Sequence, residues 1–161
     1  MAGKRTDSAY RVIKASPDAI YRAFLEPRSL LAWLPPEGMR GRILALEPRV
    51  GGTLRIALDY LSLDHTTPGK SGPHTDLVDA RFVDLVPGRR VVLSVAFQSK
   101  DPAFAEPMTM TWSLESAQDG ARVTVICQNV PEAIRKEDHD EGLRSSLANL
   151  ARLMETPAPS A

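Results

Sequence analysis

The sequence predicts an α+β domain in which an antiparallel sheet of about seven strands curls around one long C-terminal helix. Residues 39–129 contain six segments whose hydrophobic residues recur at every second position, as in strands with one buried face. Residues 139–155 have helical spacing instead and form the only long amphipathic element left to cover the sheet. A strongly twisted sheet of this size curls around such a helix. The hydrophobic stripe of the helix carries His139, Leu143, Leu147, Leu150 and Met154.

A short strand and two short helices precede the six segments. The segment "SAYRVIK", residues 8–14, is typical of a strand. Ser16 is a good N-cap and Pro17 suits the first helical position, so a helix begins there. Pro27 ends this helix, and "RSLLAWLPP" forms a second one that stops at a proline pair.

The six predicted strands are separated by turn-forming sequences rich in glycine and proline. They cover residues 39–48, 53–61, 75–86, 90–97, 107–115 and 121–130. The strand at 75–86 is irregular, because Asp79 and Arg81 are in register with Leu77, Val83 and Leu85. Which of its residues face the interior therefore stays open. The inward residues of the other strands are Leu54, Ile56, Leu58, Tyr60, Val91, Leu93, Val95, Phe97, Met108, Met110, Trp112, Leu114, Val123, Val125 and Cys127.

Composition and charge narrow the class of protein. The 161 residues include 20 basic and 20 acidic ones, and a net charge of zero argues against nucleic acid or an anionic membrane as partner. No apolar run approaches the roughly 18 residues of a membrane span, so we expect a cytoplasmic protein. We expect one domain over 8–155, with disordered tails at 1–7 and 156–161. Cys127, the single cysteine, is expected to be a buried structural thiol.

Two small residues on the C-terminal helix need an explanation. Gly142 and Ser146 lie on the predicted inward stripe, although a glycine inside a helix costs about 1 kcal/mol relative to alanine. Another element could cross closely there. Alternatively, the small residues could leave a void opposite Met108, Met110 and Trp112 that a ligand occupies. The sequence leaves both interpretations open.

Five blocks of the sequence, spanning about residues 10–155, resemble the SRPBCC (START/Bet v-like) superfamily in order and spacing. The similarity is greatest to the branch of homologue-1-like activators of the ninety-kilodalton heat-shock-protein ATPase. It implies a helix-grip fold, in which a curved seven-stranded antiparallel sheet surrounds a long C-terminal helix with a cavity between them. The blocks are "ASPDAIYRAFLEPRSLLAWLPP", "LEPRVGGTLRI", "ARFVDLVPGRRVVLS", "MTMTWSLESAQDGARVTV" and "HDEGLRSSLANLARLME".

The chain departs from the family pattern at two places. Trp33 is followed by Leu34 where the family typically has a second tryptophan, and Gly142 is followed by Leu143 where the family has Gly-Trp. The smaller Leu143 implies a larger or differently shaped cavity. None of the blocks is a catalytic signature, and a fold alone does not determine a function.

We therefore predict a domain that binds a small apolar or aromatic molecule between sheet and helix, without cofactor or metal. His65 and His74, with Asp64 and Asp76, match no metal-ligand spacing, and no glycine-rich phosphate loop is present. The candidate ligand-binding residues are Trp33, Tyr60, Phe82, Leu93, Phe97, Met108, Met110, Trp112, Val125, His139, Gly142, Leu143, Ser146, Leu147 and Leu150.

Two alternatives to this function remain. The same cavity could serve a cyclase- or hydrolase-like enzyme in which His139 or Asp79 acts as general base. The family resemblance implies a co-chaperone that stimulates a chaperone ATPase. A homodimer is also possible, because the edges of an open sheet need protection.

Overall fold

The computed structural model describes residues 5–35, 39–60, 75–97, 106–131 and 134–155, with the backbone only at 60, 75, 76 and 97. Seven strands and three helices follow one another along the chain. They are β1 (Arg5–Ile13), α1 (Pro17–Arg22), α2 (Pro27–Trp33), β2 (Met39–Leu46), β3 (Thr53–Tyr60), β4 (Thr75–Val86), β5 (Arg90–Phe97), β6 (Met108–Ala117), β7 (Gly120–Val130) and α3 (Lys136–Glu155).

The strands form a single antiparallel sheet in the order β1-β7-β6-β5-β4-β3-β2. The segments from β2 to β7 pair with their sequence neighbours, as a meander does, and β1 joins β7 at the far side. The first and second strands are therefore the two edges, and α1 and α2 connect them across the concave face. The predicted fold class, a curved seven-stranded sheet with two short helices and a C-terminal helix, is confirmed.

The start of α1 follows from its capping residue. The Oγ of Ser16 accepts a hydrogen bond from the backbone N–H of Ala19 at 3.1 Å, and Pro17 occupies the first turn. These contacts satisfy one of the N–H groups that a helix start leaves free.

A β-bulge explains the irregular pattern of β4. The pairing with β5 shifts between Phe82 and Asp84, so that Val83 is an extra residue on this strand. Phe82 is buried and Val83 is exposed on the outer face, whereas Leu85 pairs with the buried Val91. The inward set that the sequence left open is therefore Val78, Ala80, Phe82 and Leu85.

Gly41 lets α2 pack directly on β2. A Cβ at this position would lie 2.9 Å from Cγ of Pro35 and 3.0 Å from Cδ2 of Leu31. Any larger side chain would push the end of α2 away from the sheet.

The C-terminal helix begins at Lys136, three residues earlier than the spacing predicted. It packs against β1 and α2. β1 itself begins at Arg5, so residues 5–7 belong to the sheet and not to the predicted N-terminal tail. Residues 1–4 and 156–161 lie outside the described part of the chain, where the tails stay a prediction. No helix in the described part is long and apolar enough to cross a membrane.

Candidate functional site

The inward side chains of the sheet form rows that cross several strands. Leu93, Met110, Cys127 and Asp7 are successive Cα partners on β5, β6, β7 and β1, and we call them the Met110 row. Val91, Trp112, Val125 and Ala9 are partners one step further along, and we call them the Trp112 row. These two rows cross the middle of the concave face and separate its two ends.

The end beyond the Trp112 row is filled by aromatic side chains. Phe24 of the α1 segment, Trp33 of α2 and Trp112 of β6 form a triangle with ring centroids 4.8 to 5.3 Å apart, all edge to face. The Nε1 of Trp33 donates to the carbonyl oxygen of Ala23 at 2.9 Å. All three rings are at most 2% exposed, so here the protein supplies its own aromatic packing.

Most of the predicted ligand-binding residues belong to this closed core. The structure buries Trp33, Phe82, Leu93, Met108, Trp112, Val125, Leu143, Ser146, Leu147 and Leu150. Met110 and His139 are half-buried. The side chains of Tyr60 and Phe97 lie outside the described residues, as do His65 and His74.

Towards the other end of the concave face, four apolar side chains are only partly covered. Leu34, Leu58, Val78 and Met110 face the interior or pack against the core, yet each remains half-buried. Each lies within three residues of the end of its helix or strand, beside a segment that joins two elements. We call these four residues the open end. Its apolar side chains are only partly covered by the described residues.

Ser146 has a structural partner that the sequence did not indicate. Its Oγ donates to the carbonyl oxygen of Leu34 at 2.9 Å, and Nδ2 of Asn149 donates to that of Pro35 at 3.0 Å. These carbonyls follow the end of α2, where a helix leaves its acceptors free. The serine thus joins α3 to α2, which favours the close crossing of another element over a void at this position.

Gly142 faces a different environment from the one predicted. It is half-buried and lines an open groove of about 560 Å³ between α3 and Arg11 of β1, together with the exposed residues Asp138, Glu141 and Arg152. A Cβ at Gly142 would meet no atom within 4 Å. Within one copy of the chain, neither a close crossing nor a void opposite Met108, Met110 and Trp112 explains this glycine.

A charged network joins the start of α3 to β1. Nδ1 of His139 lies 2.7 Å from Oδ2 of Asp7, whose side chain is fully buried. Arg5 donates to both oxygens of Asp7, at 2.8 and 2.9 Å, and to the carbonyl oxygen of Ile134 at 2.7 Å. Burial raises the pKa of Asp7, but hydrogen bonds from Arg5 and His139 outweigh it, so the pKa lies below its usual value.

Arg5 and Asp7 are not among the predicted site residues, because both fall in the predicted N-terminal tail. The available signal was the period-two continuation of Ala9, Arg11 and Ile13 back to Asp7, which puts a carboxylate on the inward face of β1. His139 was predicted on the inward stripe and does face β1. Its Nδ1 is held by Asp7, and a neutral ring that donates from Nδ1 leaves Nε2 as an acceptor.

Asp79 lies on the outer face of the sheet. Its carboxylate forms an ion pair with Arg55 of β3 at 3.2 Å, and its neighbours Val78 and Ala80 face inward. The interpretation of Asp79 as a general base inside the cavity is therefore wrong.

Cys127 is buried, as predicted. Burial, assisted by the nearby charge of Asp7, raises the pKa of this thiol to about 12. It therefore stays protonated near neutral pH and is a poor nucleophile.

Comparison with known proteins gives a consistent family match. The model of the family described as "Activator of Hsp90 ATPase homolog 1-like protein" matches residues 14–155. No curated protein matches the sequence.

Solved structures resemble the chain over nearly its whole length. Protein CV1439 from Chromobacterium violaceum is 31% identical, with a TM-score of 0.82 over 94% of this chain and 98% of that one. An Aha1 dimer from Colwellia psychrerythraea is 19% identical, with a TM-score of 0.68 over 94% and 96% of the two chains. An AHSA1-like protein from Aeromonas hydrophila is 14% identical, with a TM-score of 0.69 over 94% and 92%.

Proposed function

The chain belongs to the family of Activator of Hsp90 ATPase homolog 1-like proteins, within the SRPBCC superfamily, and from this premise we propose that it binds a small apolar molecule at the open end. The observation that carries the proposal is the partial exposure of Leu34, Leu58, Val78 and Met110 beside buried residues of the core.

The open end has the chemistry of a site for an apolar ligand. Burying exposed apolar surface contributes about 25 cal/mol per Å² to binding. An uncharged molecule that covers the exposed surface of Val78 and Leu58 would therefore bind favourably. Met110 adds a flexible and polarizable side chain that adapts to different ligand shapes. Binding pockets usually combine such a lining with a few polar groups.

One polar group is linked to the cross-strand row that contains Met110, two strands away from it. His139 contacts Asp7, and Asp7 lies in the same row as Met110. If its Nδ1 proton is shared with Asp7, Nε2 accepts a hydrogen bond from a ligand hydroxyl. The ligand class is therefore an apolar or aromatic molecule with one hydroxyl group.

Native mass spectrometry of the protein from its own cells, with thermal shift against hydroxylated aromatic compounds, tests this function. We expect a co-purifying molecule, or a Tm that rises with compound concentration as linkage requires. Met110→Trp should fill the open end and abolish the shift. Thr111→Trp, one residue away on the outer face, is the matched control and should retain it. An empty protein and no shift with any compound would contradict the proposal.

The enzyme alternative now rests on His139 alone, because Asp79 lies outside the cavity. A hydrolase- or cyclase-like reaction would use Nε2 of His139 as general base. The same compounds, incubated with protein and analysed for products, distinguish binding from turnover. Loss of turnover, with retained binding, in His139→Gln would favour the enzyme.

The description of the family supports a second candidate, stimulation of a chaperone ATPase. The measurement is the ATPase rate of the ninety-kilodalton chaperone from the same cell with and without this protein. An increased rate together with co-sedimentation of the two proteins would favour this function over ligand binding.

A further inference from the structure

The C-terminal helix lies alongside the edge strand β1 and runs in the same direction. Near their starts, Nδ1 of His139 lies 2.7 Å from Oδ2 of Asp7. At their ends, the backbone N–H of Lys14 donates to Oε2 of Glu155 at 3.0 Å. Any molecule that reaches the free edge of β1 on the concave side therefore also reaches α3.

The edge of β1 is open to pairing. Among the described residues, this nine-residue strand pairs only with β7. On its outer face, Tyr10 is 61% exposed and Val12 is 48% exposed. Unpaired N–H and C=O groups beside exposed apolar side chains form a template for another strand.

The face of α3 above this edge is lined by small side chains. Gly142, Ser145 and Ala148 line the groove of about 560 Å³ beside Arg11. A Cβ at Gly142 would contact nothing within 4 Å. Small residues allow a second helix to approach closely, at the short end of the usual 8–10 Å range.

The charges along the groove are separated by sign. Asp138 and Glu141 lie at the N-terminal end of its helical wall, Arg144 lies near the middle, and Arg152 lies at the C-terminal end. Ser145 is midway between Asp138 and Arg152 in the sequence. A second copy of the helix, related by a two-fold axis through Ser145, would place its Arg152 against Asp138.

The strand has its centre at the same level. Ser145 lies about 9 Å along α3 from His139 at about 1.5 Å per residue. Tyr10, near the middle of β1, lies about 10 Å along the strand from Asp7 at about 3.3 Å per residue. One two-fold axis can therefore pair both elements with their copies, and it brings Glu141 close to Arg11 of the second copy.

We propose that the free edge of β1 and the groove face of α3 together form a two-fold self-association surface. The two β1 strands pair antiparallel and extend the sheet, while the two α3 helices pack antiparallel along Gly142, Ser145 and Ala148. Such an interface is isologous, because each copy supplies both the acidic and the basic half.

A second copy fits this surface better than other partners do. A small anion would meet Arg11, Arg144 and Arg152 but be repelled by Asp138 and Glu141. An unrelated strand could pair with β1 without satisfying either set of charges. Only a partner with the reversed order of charges along the groove complements both, and a second copy of this chain has that order.

Charge reversal with rescue in a mixture tests the proposal by sedimentation velocity. The first variant, Asp138→Arg with Glu141→Arg, has a wholly basic groove. The second variant, Arg11→Glu with Arg144→Glu and Arg152→Glu, has a wholly acidic one. We expect a wild-type dimer and, for each variant alone, a dimer dissociation constant raised about 100-fold by like charges. An equimolar mixture of the two variants should form heterodimers again.

Glu115→Arg, an exposed reversal on β6, is the control and should leave the dimer intact. Circular dichroism confirms that each variant is folded. A wild-type protein that stays monomeric to its highest soluble concentration would overturn the proposal. Variants that dimerise as well as the wild type, or a mixture that stays monomeric, would also overturn it. None of these outcomes depends on ligand binding at the open end.

Discussion

Two small residues one turn apart on α3 have different surroundings. Ser146 is buried and donates a hydrogen bond to Leu34, whereas Gly142 lines an open groove. Residues four apart on a helix differ by about 40° in direction, and this rotation takes Gly142 off the buried stripe. A hydrophobic stripe derived from sequence is too broad to separate them.

Replacing Gly142 with alanine should stabilise the protein. The new Cβ meets no atom within 4 Å, and alanine is favoured over glycine in a helix interior by about 1 kcal/mol. We expect the free energy of unfolding to rise by about 0.5–1 kcal/mol. Urea denaturation at low protein concentration measures this without a contribution from association.

Gly120→Ala provides the opposite control, because its Cβ would overlap the carbonyl oxygen of Ile13. This substitution should destabilise the protein. Destabilisation by Gly142→Ala would show that the groove is closed by contacts other than those described.

The carboxylate of Asp7 should make stability depend on acidic pH. Its pKa is lower in the folded protein than in the unfolded chain, since Arg5 and His139 outweigh the effect of burial. Its contribution is fully present above the unfolded pKa of about 3.9 and is lost as pH falls towards the folded pKa. Asp7→Asn should cost about 1–3 kcal/mol at pH 7, because it disrupts a buried hydrogen-bonded group.

Urea unfolding between pH 7 and pH 3 measures both parts of this prediction. The difference in stability between wild type and Asp7→Asn should shrink as pH falls below about 4. A difference that stays constant over this range would contradict an ionised Asp7 in the folded state.

At the scale of elements, α3 joins the helix pair to the edge of the sheet. Its inner face holds the carbonyls after α2 through Ser146 and Asn149, and its start is tied to β1 through His139. Hydrogen bonds therefore connect α3 both to β1 and to the residues that follow α2.

Ser146→Ala should loosen the contact between α2 and α3. It leaves the carbonyl of Leu34 without this donor, for which we expect a loss of about 1 kcal/mol in the free energy of unfolding. Ser8→Ala, an exposed change on the outer face of β1, should alter stability by less than about 0.5 kcal/mol. Equal effects of the two substitutions in a thermal or urea melt would refute the role of Ser146.

The elements were predictable because most of them obey one simple period. Alternation predicted β3 and β5 to β7, and Ser16 with Pro17 predicted the start of α1. The inward set of β4 was not predictable, since the bulge at Val83 shifts the alternation by one residue. The first residues of β1 were missed because Arg5 and Asp7 are charged, and a charged start is typical of a tail.

At the scale of the whole molecule, the predicted site depends on contacts between distant parts of the sequence. Asp7 and His139 are 132 positions apart, and no local pattern predicts such a contact. The aromatic triangle of Phe24, Trp33 and Trp112 likewise joins three elements. Sequence periodicity predicts which residues face inward, but the division of the interior into a filled end and an open end depends on how those elements pack.

The proposed two-fold axis makes a covalent prediction about Ser145. A residue on the axis faces its own copy, and the small neighbours Gly142 and Ala148 allow the short Cα–Cα distance that a disulfide requires, about 4.4–6.8 Å. Ser145→Cys should therefore oxidise to a disulfide-linked dimer, visible on a non-reducing gel and by mass. Cys127 will not compete, because burial raises its pKa to about 12. Ser116→Cys, exposed at the end of β6, is the matched control. If both variants cross-link at the same rate, or if neither does, Ser145 does not lie on a two-fold axis between two copies.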